Sequence, residues 1–248
     1  MAHGDSPFLD GCLRSLRAQS RPSDILVTTS TPSTFIEQAA AAHGVRVLVN
    51  PCSQGIAADW NFALTATKTP RVTLAHQDDI YFPTFAARSL GLLDQHPEAV
   101  ACFTGYEEIE DDGRVTRSRL SLVKHLLERA VLGRATLAQV ARLRAFLSLG
   151  NPLPCSSVTF DRDRLGEFRF SDGLSSNLDW DAWLRLCEQG RPLARTAQRL
   201  VGRRHNALTA TSRLIRDGVR QREDLMMFRR LWPGPLAQAI AWAYRASY

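Results

Sequence analysis

The stretch "RVTLAHQDDIY" (71–81) says most about the fold. Its first five residues form a short run that is typical of a buried strand, and this run stops at His76. Two adjacent carboxylates, Asp78 and Asp79, follow. Adjacent acids repel, so their position after a buried strand needs a reason. They either ligate a divalent metal ion or begin a turn that caps the next helix, and both readings stay open on these residues alone.

Outward from this stretch, the first 104 residues alternate helix and strand. Helices are predicted at 6–19, 31–44, 55–67 and 83–96, and strands at 24–29, 45–49, 71–75 and 99–104. This alternation predicts an α/β fold with a mostly parallel sheet and helices on both faces. Ligands of such sheets bind outside the carboxyl ends of the strands, which is where His76, Asp78 and Asp79 would lie.

The pattern changes after residue 104. The sequence predicts an acidic turn or hairpin at 106–113, two helices within 119–149 split near Gly133, a strand at 156–160, helices at 177–190 and 212–232, and a short apolar tail. We therefore divide the chain into an α/β half at 1–113, a second half of the same domain at 114–230, and a tail at 231–248.

Composition indicates a reduced cytoplasmic protein with a full core. The chain has 248 residues, of which 44% are hydrophobic, and its five cysteines are scattered without a CxxC pair. It contains no apolar run of about 18 residues, which a membrane-spanning helix would need, and no visible signal peptide. Residues 1–113 carry 7 Lys/Arg and 14 Asp/Glu, whereas the remainder carries 24 and 11. The basic half could face phosphates, although a solvated arginine-rich surface explains any single arginine equally simply.

A second acidic pair lies in "NLDWDAWLRL" (177–186). Asp179 and Asp181 stand at the predicted start of an amphipathic helix, where aspartate also caps helices in many proteins. An acid beside a tryptophan in a cleft can have its pKa raised and act as a general base. The residues alone allow either role.

The segment "RRHNALTATS" (203–212) begins with Arg203, Arg204 and His205. Paired arginines suit phosphate oxygens, and the alternative is a solvated basic loop. Gly55 precedes a helix start whose free N–H groups could face an anion.

The sequence lacks GxGxxG, GxxxxGK[ST], HExxH and GxSxG motifs, which argues against nicotinamide enzymes, P-loop NTPases, zinc proteases and serine hydrolases.

Taken in order, several stretches resemble glycosyltransferase family 2, whose members have the GT-A fold. The resemblance covers residues 8 to about 230, and it rests on "FLDGCLRSLRAQ", "DILVTTSTPS", "NPCSQGIAADWNFAL", "VTLAHQDDIYFPT", "NPLPCSSVTF", "LDWDAWLRL" and "RRHNALTATS".

The resemblance implies an inverting, metal-dependent transfer of a sugar from a nucleotide diphosphate donor to an acceptor hydroxyl. The metal, Mn²⁺ or Mg²⁺, would be held by Asp78, with His76 in place of the family's first acid and Asp79 beside it. Asp179 would be the catalytic base, with Asp181 as the second candidate. The implied donor-binding residues are Thr29, Ser30, Gly55, Asp59, Asn61, Asp78, Arg204 and His205.

The sequence also departs from the family pattern. It shows no strand before the first helix, although the family places one at the middle of the sheet. We therefore expect the chain as written to be marginal or inactive. Thr29 and Ser30 replace the usual base-binding acids, so a uridine donor is only one of several candidates. Trp60 replaces the usual arginine before Asn61, and the absence of QxxRW argues against a processive polysaccharide synthase.

The expected partners are a nucleotide-sugar donor and a glycan or lipid-linked acceptor of cell-surface polysaccharide synthesis, and no nucleic acid. The basic half and the apolar tail add peripheral contact with the inner membrane face as a further expectation. The alternative from another class is a degenerate, glycosyltransferase-like binding or scaffold protein without catalysis.

Overall fold

The first half of the chain folds into the predicted alternation of helices and strands. The computed structural model describes residues 1–52, 54–116, 119–204 and 214–245. The helices are α1 Leu9–Arg17, α2 Thr34–Ala42, α3 Ile56–Thr65, α4 Phe85–Gln95, α5 Arg119–Leu132, α6 Val140–Leu147, α7 Arg162–Leu165, α8 Leu178–Glu188, α9 Val219–Arg229 and α10 Gly234–Tyr244. The strands are β1 Leu26–Thr29, β2 Arg46–Val49, β3 Arg71–Thr73, β4 Ile80–Tyr81, β5 Ala101–Ile109, β6 Val115–Thr116, β7 Leu137–Ala138, β8 Val158–Asp161 and β9 Leu193–Arg204.

The strands form two hydrogen-bonded sheets. β1 and β2 pair in parallel, and a seven-stranded sheet has the order β3-β8-β5-β9-β4, with β6 added to β5 and β7 to β9. The central pair β5 and β9 is parallel, while the flanking pairings in this larger sheet are antiparallel. The predicted α/β class is confirmed.

The long strand β9 is not anticipated by the sequence. Its segment "LARTAQRLVGRR" is rich in arginine, and the sequence analysis treats its end only as a basic phosphate-binding motif or a loop. In the structure, its long parallel pairing with β5 runs from Leu193 to Arg204 and makes it a central strand. Tertiary pairing has therefore overridden a composition that disfavours a strand. His205 lies outside the described residues.

The N-terminal residues lie where the sequence analysis expects a missing central strand. The backbone N–H of Ala2 donates to the carbonyl of Thr28 at 2.8 Å, and Ala2 forms an isolated parallel bridge with Thr29. The Met1 amino group donates to the carbonyl of Ala75 at 2.6 Å, just beyond β3. Residues 1–2 therefore connect the two-stranded sheet to the end of β3, although they form only a bridge there and not a strand.

The largest hydrophobic core lies under the second half of the chain. Trp180 and Trp183 on α8 are fully buried, and their indole N–H groups donate to the carbonyls of Leu147 and Leu153, each at 3.0 Å. Because both polar ends are satisfied, these tryptophans stabilise the core without an unpaired buried donor. Helix α8 is thus held rigidly against the sheet.

The C-terminal segment packs on this core as helix α10. Ala237 and Ala241 are buried there, whereas the side chain of Trp242 is 75% exposed. Within the described part of the chain, no helix is both long and apolar enough to cross a membrane.

Candidate active site

A tight turn carries the first acidic pair. After β3, the N–H of Asp79 donates to the carbonyl of His76 at 3.2 Å, which closes a turn over 76–79. The Arg204 side chain donates from Nε to the Asp78 carbonyl at 3.0 Å, and its backbone N–H donates to Asp79 Oδ1 at 3.1 Å. The end of β9 therefore fixes the turn from two sides.

Asp78 is the acid of the pair that stays partly accessible. Ser6 Oγ donates to Asp78 Oδ1 at 3.0 Å, and among the described residues Oδ2 accepts no hydrogen bond. Partial burial raises the pKa of Asp78, and the Ser6 hydrogen bond and the Arg204 charge oppose this rise. A desolvated carboxylate with a spare oxygen would be stabilised by a cation.

Asp79 instead makes structural contacts. Its side chain is 3% exposed, it accepts the Arg204 N–H, and burial raises its pKa to about 6. We therefore propose that Asp79 has a structural role and that Asp78 is the metal ligand of the pair, because the Asp79 carboxylate is buried in the turn and bound to the backbone of β9.

His76 carries a nitrogen without a partner. Its Nε2 is buried and makes no hydrogen bond to any residue in the described ranges, while its ring lies 5.3 Å from the Trp60 ring. Burial lowers the pKa of His76 to about 3, so its imidazole is neutral at physiological pH. A neutral imidazole has a lone pair for a metal or a hydrogen-bond donor.

The residues present fit a divalent metal bound mainly by its substrate. Over the described parts of the chain, no group of three or more His, Cys, Asp or Glu side chains could hold a metal ion. Mg²⁺ and Mn²⁺ nevertheless need only one or two protein ligands when diphosphate oxygens and water complete the shell. Asp78 and the unpartnered His76 nitrogen supply that number.

Asp179 projects from the first turn of α8. It is partly buried, and its Oδ1 accepts the N–H of Trp180 at 2.9 Å. Burial raises the pKa of Asp179, and the positive charges of Arg220 and Arg203 act against this rise. The carboxylate thus has the raised basicity that suits a general base and stays close to two cations.

Asp181 is engaged in structural ion pairs. Its carboxylate accepts from Arg185 at 2.8 Å and from Arg230 at 2.7 Å, and the residue is 7% exposed. These contacts tie α8 to the end of α9. We therefore propose that Asp181 has a structural role and that Asp179 is the base.

Arg203 is a basic residue whose charge affects groups of both acidic regions. Successive side chains of a strand point to opposite faces, and Arg204 points toward α1, where its guanidinium lies 4.2 Å from the centre of the Phe8 ring. On the other face of β9, the positive charge of Arg203 lowers the pKa values of His76, Asp79 and Asp179, as a smaller effect than burial. From the sequence, Arg204 but not Arg203 is predicted to bind the donor. In a segment interpreted as a loop, the directions of the two side chains cannot be assigned.

Arg204 is a clamp on the turn that carries Asp78. Its residue exposure is 8%, and its guanidinium donates to the carbonyls of Asp78 and Glu110 while stacking on Phe8. We propose that Arg204 acts on the donor site through the turn that carries Asp78, because its guanidinium N–H groups hold that turn, and direct donor binding by Arg204 stays a prediction.

The remaining donor-binding predictions divide into two groups. Asp59 accepts from Ser30 Oγ at 2.7 Å and from Asn50 Nδ2 at 2.8 Å, which joins the ends of β1 and β2 to α3. Thr29 is 3% exposed, and its Oγ1 accepts the N–H of Thr31 at 3.0 Å. These residues shape the rim at the carboxyl ends of β1 and β2.

Asn61 faces the other way, toward the second half of the chain. Its amide donates to the Phe170 carbonyl at 3.0 Å and accepts the Phe170 N–H at 2.7 Å. This pair of bonds positions the backbone at Phe170 and gives Asn61 a structural role, and its donor contact stays a prediction. Gly55 has φ 112°, which permits the sharp entry into α3.

Solved structures share this architecture. TarS of S. aureus in complex with UDP-GlcNAc superposes with a TM-score of 0.64 at 12% identity, covering 97% of this chain and 68% of that one. The mannosyltransferase PcManGT from Pyrobaculum calidifontis, in complex with GDP-Man and Mn²⁺, gives 0.61 at 16% identity, covering 98% and 67%.

A third similar structure is glucosyl-3-phosphoglycerate synthase from Mycobacterium tuberculosis, with a TM-score of 0.56 at 21% identity, covering 88% of this chain and 78% of that one. Against a longer structure of S. aureus TarS, the chain spans only 40% of that protein's length. At these identities the likeness establishes the fold, which is the predicted GT-A fold.

No curated protein sequence gives a significant match to the chain. The sequence model of glycosyl transferase family 2, however, matches residues 1–148, more than half of the chain. The turn at Asp78 and the rim formed by β1 and β2 fall within that match. The chain belongs to glycosyl transferase family 2.

Proposed function

We propose that the protein transfers a sugar from a nucleotide diphosphate donor to an acceptor hydroxyl, with inversion at the anomeric carbon. The observation on which this proposal rests is the partly accessible Asp78 carboxylate, which Ser6 and Arg204 hold in the turn after β3, at the carboxyl end of a strand where sheets of this kind bind their ligands. Asp179, in the first turn of α8, supplies a second carboxylate with a raised pKa, which suits the activation of the acceptor. Family membership and the GT-A fold support the same reaction.

Asp78 and His76 are the residues that would hold a divalent metal. When bound, such a metal neutralises charge on the diphosphate leaving group. Ser6 orients the Asp78 carboxylate, and Arg204 fixes the backbone beneath it. Arg203 adds positive charge next to the leaving diphosphate. PcManGT binds GDP-Man and Mn²⁺ together, which supports a metal-assisted donor site here.

Asp179 would act as the general base. Its carboxylate accepts the proton of the acceptor hydroxyl as the hydroxyl oxygen attacks the anomeric carbon, and the bond from that carbon to the diphosphate oxygen breaks. Attack from the face opposite the leaving group inverts the configuration. The raised pKa of Asp179 brings its basicity nearer the operating pH.

The donor and the acceptor are proposed only by class. TarS binds UDP-GlcNAc and PcManGT binds GDP-Man, so related folds accept different bases and sugars. Thr29 and Ser30 stand where the family usually has acids, which leaves the base of this donor open. We propose a glycan or lipid-linked acceptor of cell-surface polysaccharide synthesis.

The C-terminal helices support contact with the inner, cytoplasmic face of a membrane. Met226, Leu236 and Trp242 are exposed apolar residues of α9 and α10. Exposed arginines accompany them, and the two acids of α9, Glu223 and Asp224, are buried. An exposed tryptophan with basic neighbours suits the surface of anionic lipids, where a lipid-linked acceptor would be found.

Incubation with a panel of nucleotide sugars and Mn²⁺, read as release of the nucleoside diphosphate, tests the proposal. We expect release from at least one donor, with loss of release on removal of the metal by a chelator. Donor binding without any release, with glycans and lipid-linked acceptors present, would favour the alternative of a non-catalytic binding protein. Neither binding nor release would contradict both.

A further inference from the structure

Helix α8, which carries Asp179, begins without a cap from its own sequence. The residue before the helix is Asn177, and its side chain accepts no hydrogen bond from the first turn. That side chain instead donates to Asp224 Oδ1 at 2.7 Å. The N–H groups at this helix start therefore need an acceptor from elsewhere in the chain.

Glu223 on α9 supplies an acceptor for the N-cap residue Asn177 and for the two residues before it. Its carboxylate accepts three consecutive backbone N–H groups, from Ser175 at 2.7 Å and from Ser176 and Asn177 at 2.8 Å each. The residue is only 7% exposed, so these charge-assisted bonds form away from bulk water. An anion at a helix start also interacts favourably with the helix dipole.

These contacts lie immediately before the proposed catalytic base. Asn177 accounts for one of the three N–H groups, and Asp179 follows two residues later in the first turn of α8. The Trp180 indole anchors the first turn of α8 to the carbonyl of Leu147, and the Trp183 indole anchors the middle of the helix to the carbonyl of Leu153. Glu223, together with the bond from Asn177 to Asp224, holds the backbone segment that leads into this first turn.

We propose that Glu223 is a positioning residue for the catalytic base: by binding three backbone N–H groups, it sets the direction of the Asp179 carboxylate toward the acceptor hydroxyl. This inference rests on the proposed function, since it takes Asp179 as the base. The proposal gives helix α9 a role in catalysis, although no residue of α9 is proposed to react with the substrate. A small displacement of a reacting group can reduce the rate by about 100-fold, so such a contact has a measurable effect.

A double-mutant cycle tests the proposal. Glu223→Gln keeps the shape but turns an N–H donor toward the backbone N–H groups. We expect kcat for donor turnover to fall about 10- to 100-fold, with donor KM within about twofold of wild type. In a background of Asp179→Asn, which has already lost the base, Glu223→Gln should have little further effect.

Glu188→Gln is the matched control. Glu188 lies at the other end of α8, is paired with Arg230 at 2.9 Å, and is 47% exposed at its side chain. The same substitution there should leave kcat unchanged. If Glu223→Gln does not fold, Glu223→Asp takes its place in the double-mutant cycle. This variant keeps the negative charge on a side chain that is shorter by one methylene group.

Two outcomes would overturn the inference in distinguishable ways. A wild-type protein that turns over its donor, combined with additive effects of Glu223→Gln and Asp179→Asn, would refute the positioning role and leave the proposed function standing. A wild-type protein that turns over no donor would refute the proposed function and the inference with it.

Discussion

The two acidic pairs of the molecule look alike in sequence and are divided in the same way by the fold. In the first pair, Asp78 has one carboxylate oxygen that accepts no hydrogen bond from the described residues, while Asp79 is buried and bound to β9. In the second, burial raises the pKa of Asp179 against the charges of Arg220 and Arg203, while Asp181 is bound to Arg185 of α8 and to Arg230 just after α9. Each pair thus contains one candidate for chemistry and one structural residue.

Backbone geometry explains this division. Asp179 and Asp181 are two residues apart on a helix that turns about 100° per residue, so their side chains leave the helix on nearly opposite sides. Asp78 and Asp79 are neighbours at a turn that leads into β4, where consecutive side chains again diverge. An acidic pair in sequence therefore does not predict two acids in one site.

The largest expected effect is on donor turnover, and it distinguishes Asp179 from Asp181. Asp179→Asn keeps the side-chain shape and removes the base, so we expect donor turnover to fall by about 10²- to 10⁴-fold while donor binding persists. Steady-state release of nucleoside diphosphate and calorimetric binding measure the two quantities. Comparable turnover in Asp179→Asn and wild type would shift the base to another residue.

The next largest effect is on metal-dependent donor affinity, and it distinguishes Asp78 from Asp79. Asp78→Ala removes the proposed metal ligand, and we expect the gain in donor affinity that Mn²⁺ gives to wild type to disappear. Asp79→Asn should retain that gain, because its carboxylate faces β9. Calorimetric titration of the donor with and without Mn²⁺ distinguishes the variants, and an undiminished metal effect in Asp78→Ala would refute the ligand assignment.

A smaller effect on stability is expected at Asp181. Asp181→Asn leaves Arg185 and Arg230 without their shared anion, although both guanidinium groups remain partly exposed. We expect a loss of about 1–2 kcal/mol in the free energy of unfolding, with most of the donor turnover retained. Thermal or urea denaturation measures the loss, and an unchanged stability would show that the pairs contribute little.

The smallest effect concerns the pH dependence of turnover. Burial raises the pKa of Asp179, so activity should fall on acidification at a higher pH than an ordinary aspartate would give, because the protonated form cannot act as a base. Arg203 opposes that rise. Arg203→Gln should therefore move the acidic limb of the kcat profile to higher pH.

Arg199→Gln is the control for this shift. Arg199 is on the same strand but pairs with Glu107 at 2.9 Å, so its substitution should not move the acidic limb. A limb that moves equally in both variants, or that moves to lower pH in Arg203→Gln, would contradict the assignment.

Much of the fold could be predicted because its signals are local. The alternation of apolar runs with turn residues identifies β1, β2, β3 and the helices between them, and the split near Gly133 separates α5 from α6. The strand β9 could not be predicted, since its alanines and its glycine disfavour a strand and only its long-range pairing with β5 makes it one. The bridge at Ala2 depends on a similarly distant contact.

The candidate site residues Asp78 and Asp179 follow in the sequence from their places at a strand end and a helix start, and their roles stay predictions. The roles of Arg204, Asn61 and Glu223 depend on partners about 46 to 126 residues away, which no spacing in the sequence reveals. Side-chain direction in β9 was also needed to distinguish Arg203 from Arg204.

A crystal structure of the Asp179→Asn protein with its nucleotide-sugar donor and Mn²⁺ tests the central claim most directly. We expect the metal and the diphosphate to lie against Asp78, with Arg203 beside the diphosphate. We expect the anomeric carbon to face residue 179 across a gap the size of an acceptor hydroxyl. A donor bound with its diphosphate away from Asp78, or with residue 179 on another face of the protein, would contradict it.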